Sequence, residues 1–243
     1  AELSKLVANA FLAQRISSIN SISALCEATG ANISEVSEAI GSDSRIGKKF
    51  LNSGPGFGGS CFKKDILNLV YLSKYYGLNE VADYWEQVVK INSWQQKRIS
   101  RIIIKNLFGT LSDKRIAVLG FSFKSNTNDT RQSPTINISK YLFQEGARLA
   151  FYDPVVSERQ IVAEFGEANN EGKFEVCKTA LEACKGSDAV IVLTEWNQFK
   201  FLDWQLIYER MRKPAWVFDT RIFLEKDNLQ KIGFKVWTLG ISF

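Results

Sequence analysis

Lys114-Arg115-Ile116-Ala117-Val118-Leu119-Gly120 is the stretch on which the fold turns. Its unbroken apolar run, closed by glycine, reads as a buried strand entering a loop. Downstream the pattern alternates. Pro134–Gln144 reads as a helix, and Arg148–Tyr152 as a strand ending at Asp153-Pro154. Thr179–Cys184 is helical, Ala189–Thr194 a short apolar strand, Trp204–Met211 a helix, and Ala215–Asp219 and Lys235–Leu239 further strands. Strands alternating with helices over short connections predict a parallel, doubly wound sheet. Residues 164–178 are polar and read as a variable surface segment.

Upstream of 114 the sequence is helical. Residues 1–28 carry apolar residues at Leu3, Leu6, Val7, Ala10, Phe11, Ile16, Ile19, Ile22 and Leu25, the spacing of one long helix, and Thr29-Gly30 ends it. A short helix over Ser34–Ile40 is capped by Asn32 or Ser34. Helices follow from about Lys64 to Tyr76 and from about Glu80 to Leu107. The expected class is α/β: an all-helical region over 1–108, then a doubly wound sheet domain over 109–243. The first helix opens with no capping residue and no initiating methionine, so the expectation is that further sequence precedes it.

Composition narrows the function. Hydrophobic residues make up 45% of the chain, enough for a buried core. Lys and Arg number 31 against 26 acidic residues, a net charge of +5 whose longest basic runs are pairs. That excludes a nucleic-acid role and suits an anionic small molecule. There is no histidine, so serine–histidine triads and histidine metal sites are excluded, and chemistry must use Asp, Glu, Lys, Cys or Tyr. Cys26, Cys61, Cys177 and Cys184 match no zinc spacing and are too sparse for a disulfide scaffold. No apolar run approaches the roughly 20 residues of a membrane span, and the start does not read as a signal peptide. The chain therefore reads as cytosolic.

Four constellations are candidates for chemistry. In Gly56-Phe57-Gly58-Gly59-Ser60-Cys61-Phe62-Lys63-Lys64-Asp65, glycines let the backbone approach a ligand closely, and a thiol stands at a helix start beside two lysines. Such a place favours negative charge on sulfur. The alternative is a flexible turn before a buried, inert cysteine. Lys5 and Asn9 share a helix face at i and i+4, either entering a site or lying in solvent. Gly120-Phe121-Ser122-Phe123-Lys124, with Asp129-Thr130-Arg131 beyond, lies at the phosphate-binding corner of a doubly wound sheet but lacks G-x-G-x-x-G. Lys124 and Arg131 either supply anion contacts there or belong to an ordinary loop. Asp219-Thr220-Arg221 follows a strand, where Arg221 either reaches a ligand or makes a surface ion pair. Asp153 stands where an acid binds ribose in dinucleotide sites, although Pro154 makes a turn role equally reasonable. Cys26, Cys177 and Cys184 read as structural.

Taken together, Ala1-Glu2-Leu3-Ser4-Lys5-Leu6, the Gly56–Asp65 segment, Leu119–Lys124 and Phe218-Asp219-Thr220-Arg221 resemble the signature segments of the UDP-glucose 6-dehydrogenase family. The run Asn9–Gly30 is similar to the animal enzymes in particular. The resemblance implies an N-terminal Rossmann domain for NAD, a connecting helical region that dimerises, and a Rossmann-like domain for the UDP-sugar. This chain resembles the last two, so the 243 residues alone are expected to be inactive. The implied reaction oxidises C6 of UDP-glucose twice, using two NAD and one water, through a thiohemiacetal and a thioester on Cys61. Lys5 and Asn9 would stabilise the oxyanion, and Asp65 would position or activate the water. Lys5, Asn9, Arg45, Asn52, Ser53, Gly54, Pro55, Gly56, Phe57, Gly58, Phe123, Lys124 and Arg221 would contact substrate. Cys61, Lys64 and Arg131 would touch NAD. The implied assembly is a homodimer built into a hexamer, with Trp85, Val88, Val89, Ile91 and Trp94 as interface candidates. Rival readings are a dehydrogenase of a GDP-sugar or N-acetylated UDP-sugar, and a non-catalytic UDP-sugar-binding module.

Overall fold

In the computed structural model, residues 2–166 and 172–242 are described. The chain divides into two compact units, Ala1–Gln96 with Gly240–Phe243, and Lys97–Leu239. The division falls ahead of the 108/109 change in composition, inside a continuous helix.

The first unit is helical. It holds α1 (Glu2–Thr29), α2 (Ile33–Gly41), α3 (Phe62–Tyr75) and the first part of α4 (Asn79–Asn106). Gly30, at φ +80°, lets the chain turn after α1. Asn32 caps α2, its Oδ1 accepting from Ser34 N at 2.9 Å. Along α4, Ala82, Trp85, Val88, Asn92, Gln95 and Ile99 form a buried stripe of three- and four-residue steps. This corrects part of the expected interface. Trp85 and Val88 pack with Ala10 and Ala13 of α1 and with Ile66, Leu69 and Val70 of α3, and Val89 leans on the same core. Those contacts within the unit cover Trp85 and Val88. Trp94 stays exposed, as do Leu3, Phe11, Ile22 and Leu25 of α1.

The second unit is a six-stranded, wholly parallel sheet in the order β3-β2-β1-β4-β5-β6. Its strands are β1 (Arg115–Leu119), β2 (Arg148–Tyr152), β3 (Phe174–Val176), β4 (Ala189–Val192), β5 (Trp216–Asp219) and β6 (Lys235–Thr238). Its helices are α5 (Pro134–Gln144), α6 (Glu158–Glu164), α7 (Ala180–Cys184), α8 (Trp204–Arg210) and α9 (Lys226–Ile232), with a 3-10 turn at Asn197–Phe201. Ser133 caps α5, and Pro134 begins it, where a missing N–H is harmless.

Alternate strand residues feed two cores. Ile116, Val118, Leu149, Phe151, Ile191 and Phe218 point to one face, where Ile99 and Ile103 of α4 and Ile138 and Leu142 of α5 cover them. Ala117, Leu119, Ala150, Val190, Val192 and Val217 point to the other, against Ala183 of α7, Ile207 of α8 and Leu229 of α9. Each fully buried aliphatic side chain contributes about 1.5–3 kcal/mol. Double coverage is what keeps these strands apolar throughout.

Two sequence readings need correction. The polar stretch 164–178 contains β3, which pairs with β2 through Leu149↔Phe174; residues 167–171 of it lie outside the described residues. The helices α6 and α9 are additions to the expected elements. Among the described residues, no helix is long and apolar enough to cross a membrane.

Candidate active site

The candidate residues fall into two groups, one in each unit. In the first unit Cys61 is the N-cap of α3 and is exposed. Ser60 Oγ lies 3.6 Å from its sulfur. Asp65 stands one turn further on, its N–H donating to Cys61 O at 2.8 Å. The Asp65 side chain is buried and is held from α1, where Asn9 Nδ2 donates to Asp65 Oδ2 at 2.6 Å. Lys5 and Asn9 stand one turn apart on α1, and it is Asn9 that reaches Asp65. Lys5, Lys63 and Lys64 are exposed.

The loop before Cys61 is closed inward. Asn52 is exposed, while Ser53 to Gly59 are buried. Polar side chains from α1 and α4 meet this loop: Asn20 Oδ1 accepts from Gly54 N, Gln95 Nε2 donates to Gly54 O, and Asn92 binds Phe57. These three are absent from the residues that sequence reasoning singles out. The available signal was a polar residue at the buried phase of an apolar helix. Arg45 is fully exposed and forked onto Asp43, with Nε 3.0 Å from Oδ1 and Nη2 2.5 Å from Oδ2. That guanidinium holds the Asp43 carboxyl below its usual range.

In the second unit the candidates gather at the carboxyl ends of the strands, where doubly wound sheets bind ligands. Gly120, after β1, has φ +94°, and a Cβ there would meet Thr194 at 2.4 Å. Glycine is therefore demanded by the neighbouring loop rather than by a ligand. Asp153 resolves as a turn residue. Its Oδ2 accepts from Phe121 N at 2.7 Å, Ser122 N at 3.1 Å and Trp196 Nε1 at 3.1 Å. Its Oδ1 accepts from Val155 N and Val156 N, each at 3.0 Å. The two amides that would cradle a pyrophosphate and the acid that would hold a ribose are thus bonded to each other. This corner of the sheet does not fit a dinucleotide.

Arg221 is largely buried. Its Nε donates to Leu193 O at 2.7 Å and its Nη2 to Phe123 O at 3.3 Å. Glu195 Oε2 lies 3.1 Å from the same Nε as an ion pair. Burial lowers the Arg221 pKa, against the pull of Glu195 and Asp219. Asp219 accepts from the backbone N–H of Arg221, Ile222, Phe223 and Leu224 at 2.9–3.0 Å. Burial raises its pKa despite those four donors. Arg221 thereby joins the loops after β1, β4 and β5. Lys124 is exposed, its Nζ 5.5 Å from the Phe123 ring centroid. Arg131 is exposed and paired with Asp129, Nε to Oδ1 at 2.9 Å and Nη2 to Oδ2 at 2.8 Å.

The other thiols differ from Cys61. Cys26 and Cys184 are buried, and Cys177 is half-buried. Burial pushes Cys177 up to about 11 and Cys184 up to about 12. A raised thiol pKa keeps the unreactive protonated form below it. Iodoacetamide near neutral pH is therefore expected to alkylate Cys61, with Cys177 joining only as the pH approaches 11 and all four reacting in denaturant. Peptide mass spectrometry reads the order; native Cys184 labelled as fast as Cys61 would contradict it. Among the described residues no cluster of three or more metal-ligating side chains is present.

A helical segment that displays an exposed thiol at a helix start, followed by a six-stranded parallel sheet with helices, defines an α/β protein of Rossmann-like fold. Residues 1–94 match the central domain of the UDP-glucose/GDP-mannose dehydrogenase family, and residues 117–226 match its UDP binding domain. The chain belongs to that family. It is 54% identical over 247 residues to UDP-glucose 6-dehydrogenase of Bos taurus, covering 98% of this chain and 50% of that one. It is 52% identical over 255 residues to UDP-glucose 6-dehydrogenase 3 of Arabidopsis thaliana, covering 99% and 53%. A UDP-glucose dehydrogenase structure from Pyrobaculum islandicum aligns with a TM-score of 0.83 at 28% identity, over 99% of this chain and 51% of that one. The chain spans about half the length of the curated relatives it matches.

Proposed function

We propose that this chain supplies the nucleophile and the UDP-sugar-binding residues for NAD-dependent oxidation of UDP-glucose to UDP-glucuronate. The observation that carries the reading is the exposed Cys61 at the start of α3, with the Asn9-bound Asp65 one turn behind it. The similarity to UDP-glucose 6-dehydrogenases supports the choice of sugar. NAD, bound outside the closed corner of the sheet, would accept the hydrides; Cys61, Lys64 and Arg131 are proposed as its contacts in this chain.

The chain's own residues act on the carbon. The Cys61 thiolate adds to the C6 aldehyde, a C–S bond forms, and the carbonyl pair moves to oxygen. Lys5 and the Asn9 N–H that is not given to Asp65 stabilise that oxygen. Once the adduct is oxidised to a thioester, water attacks the carbonyl carbon and sulfur leaves. Asp65, with Oδ2 fixed by Asn9, presents Oδ1 to orient the water and take its proton. Arg45, Asn52, Lys124 and Arg221 are proposed to bind the nucleotide sugar, with Ser53 to Gly58 and Phe123 shaping its surroundings.

A substrate panel tests the reading. The natural full-length protein should reduce NAD with UDP-glucose at least about 100-fold better in kcat/KM than with GDP-mannose or UDP-N-acetylglucosamine. The 243 residues alone should give no NADH. A preference for GDP-mannose would overturn the choice of sugar.

The proposed assembly is a homodimer of the helical unit, extended to a hexamer. Leu3, Phe11, Ile22 and Leu25 of α1 supply exposed apolar surface that a symmetric contact would bury. Light scattering is expected to show a dimer or larger species, and a stable monomer at micromolar concentration would contradict it.

A further inference from the structure

A loop rich in glycine has few side chains by which to be held, so its shape must be set through its backbone. Asn92 meets both backbone groups of one loop residue. Its Oδ1 accepts from Phe57 N at 2.8 Å, and its Nδ2 donates to Phe57 O at 3.2 Å. Gln95, nearly one turn on, donates to Gly54 O at 3.0 Å. Gly56 lies between them at φ +119°, and a Cβ there would stand 2.5 Å from Asn92 Oδ1. The Phe57 ring is buried in the helical core and meets Phe62 edge-on, centroids 5.8 Å apart. Phe62 directly follows Cys61.

We propose that Asn92 is a positioning residue: by gripping Phe57 at both backbone groups it fixes the glycine loop and, through the Phe57–Phe62 contact, the start of α3 that carries Cys61. Asn92 occupies a core position of α4 where its neighbours in the stripe include Ala82, Trp85, Val88 and Ile99. A buried amide is costly there unless both its donor and its acceptor are met, and Phe57 meets both. The functional meaning of this grip rests on Cys61 being the nucleophile, but the physical claim does not.

The test is the alkylation rate of Cys61 by iodoacetamide in the 243-residue chain, read by peptide mass spectrometry beside the thermal midpoint. The thiol is already exposed, so loosening the loop brings no new access. It removes the fixed orientation in which the sulfur faces solvent, and Asn92→Ala is expected to slow alkylation about three- to fivefold. Ser17→Ala is the control, because Ser17 Oγ donates to Val88 O at 2.8 Å and ties α1 to α4 without touching the loop. It should lower the thermal midpoint but leave the Cys61 rate within about twofold. Should Asn92→Ala fail to fold, Gln95→Ala is read instead, with a smaller slowing in the same direction. An unchanged rate in the folded variant, or equal slowing in Ser17→Ala, overturns the proposal. Normal turnover of a Cys61→Ser enzyme would sink the nucleophile reading and leave this result standing.

Discussion

Steady oxidation of UDP-glucose is expected to fall by roughly a thousandfold or more when Cys61 becomes serine in the natural full-length protein. Serine retains the position at the N-cap of α3 and the neighbouring Ser60. It loses the polarisable sulfur that adds to a carbonyl as a thiolate and departs readily from an acyl group. No histidine exists in the chain to activate a hydroxyl in its place. The effect should lie in kcat, because the side chain acts on bonds that change rather than on the bound sugar. A variant whose kcat is within about tenfold of the parent would remove Cys61 from the covalent role.

The second large effect is expected at Asp65. Asp65→Asn preserves size and can still accept the Asn9 N–H now received by Oδ2. It cannot take a proton from water. Thioester hydrolysis should therefore slow by about 10²–10³, while addition of Cys61 to the aldehyde proceeds. The kinetic signature is a burst of NADH followed by a slow steady rate, with acyl-enzyme that hydroxylamine releases. Unchanged steady turnover with no burst would show that the carboxylate does not act on the water.

Much of this is readable in the sequence because the decisive residues break local pattern. Ile116–Leu119 and Ala189–Val192 are apolar without interruption, as strands covered on both faces must be. Cys61 stands out because glycines precede it and a helix follows it. The short edge strand Phe174–Val176 does not stand out, since three residues with a central glutamate carry too little periodicity. The helix Lys226–Ile232 escapes for a related reason: Leu229 is its one buried residue. The amide grips on the glycine loop are only faintly legible, because Asn20 and Asn92 stand at the buried phase of their helices but the sequence does not say what meets them there. Trp85 and Val88 show the opposite limit. Their spacing marks a buried stripe, yet spacing cannot say whether the same chain or another copy covers it. Asp153 is ambiguous in sequence, and only its five backbone and indole donors decide for the turn.

The central claim is that carbon bonds to the side chain at position 61. It is tested most directly by incubating the full-length Cys61→Ser protein with UDP-glucose and NAD and locating any added mass by peptide mass spectrometry. Oxygen leaves an acyl carbon less readily than sulfur, so a UDP-glucuronyl ester should persist on the introduced hydroxyl and be absent without NAD. A variant that turns over normally and carries no added mass at that position would contradict the account.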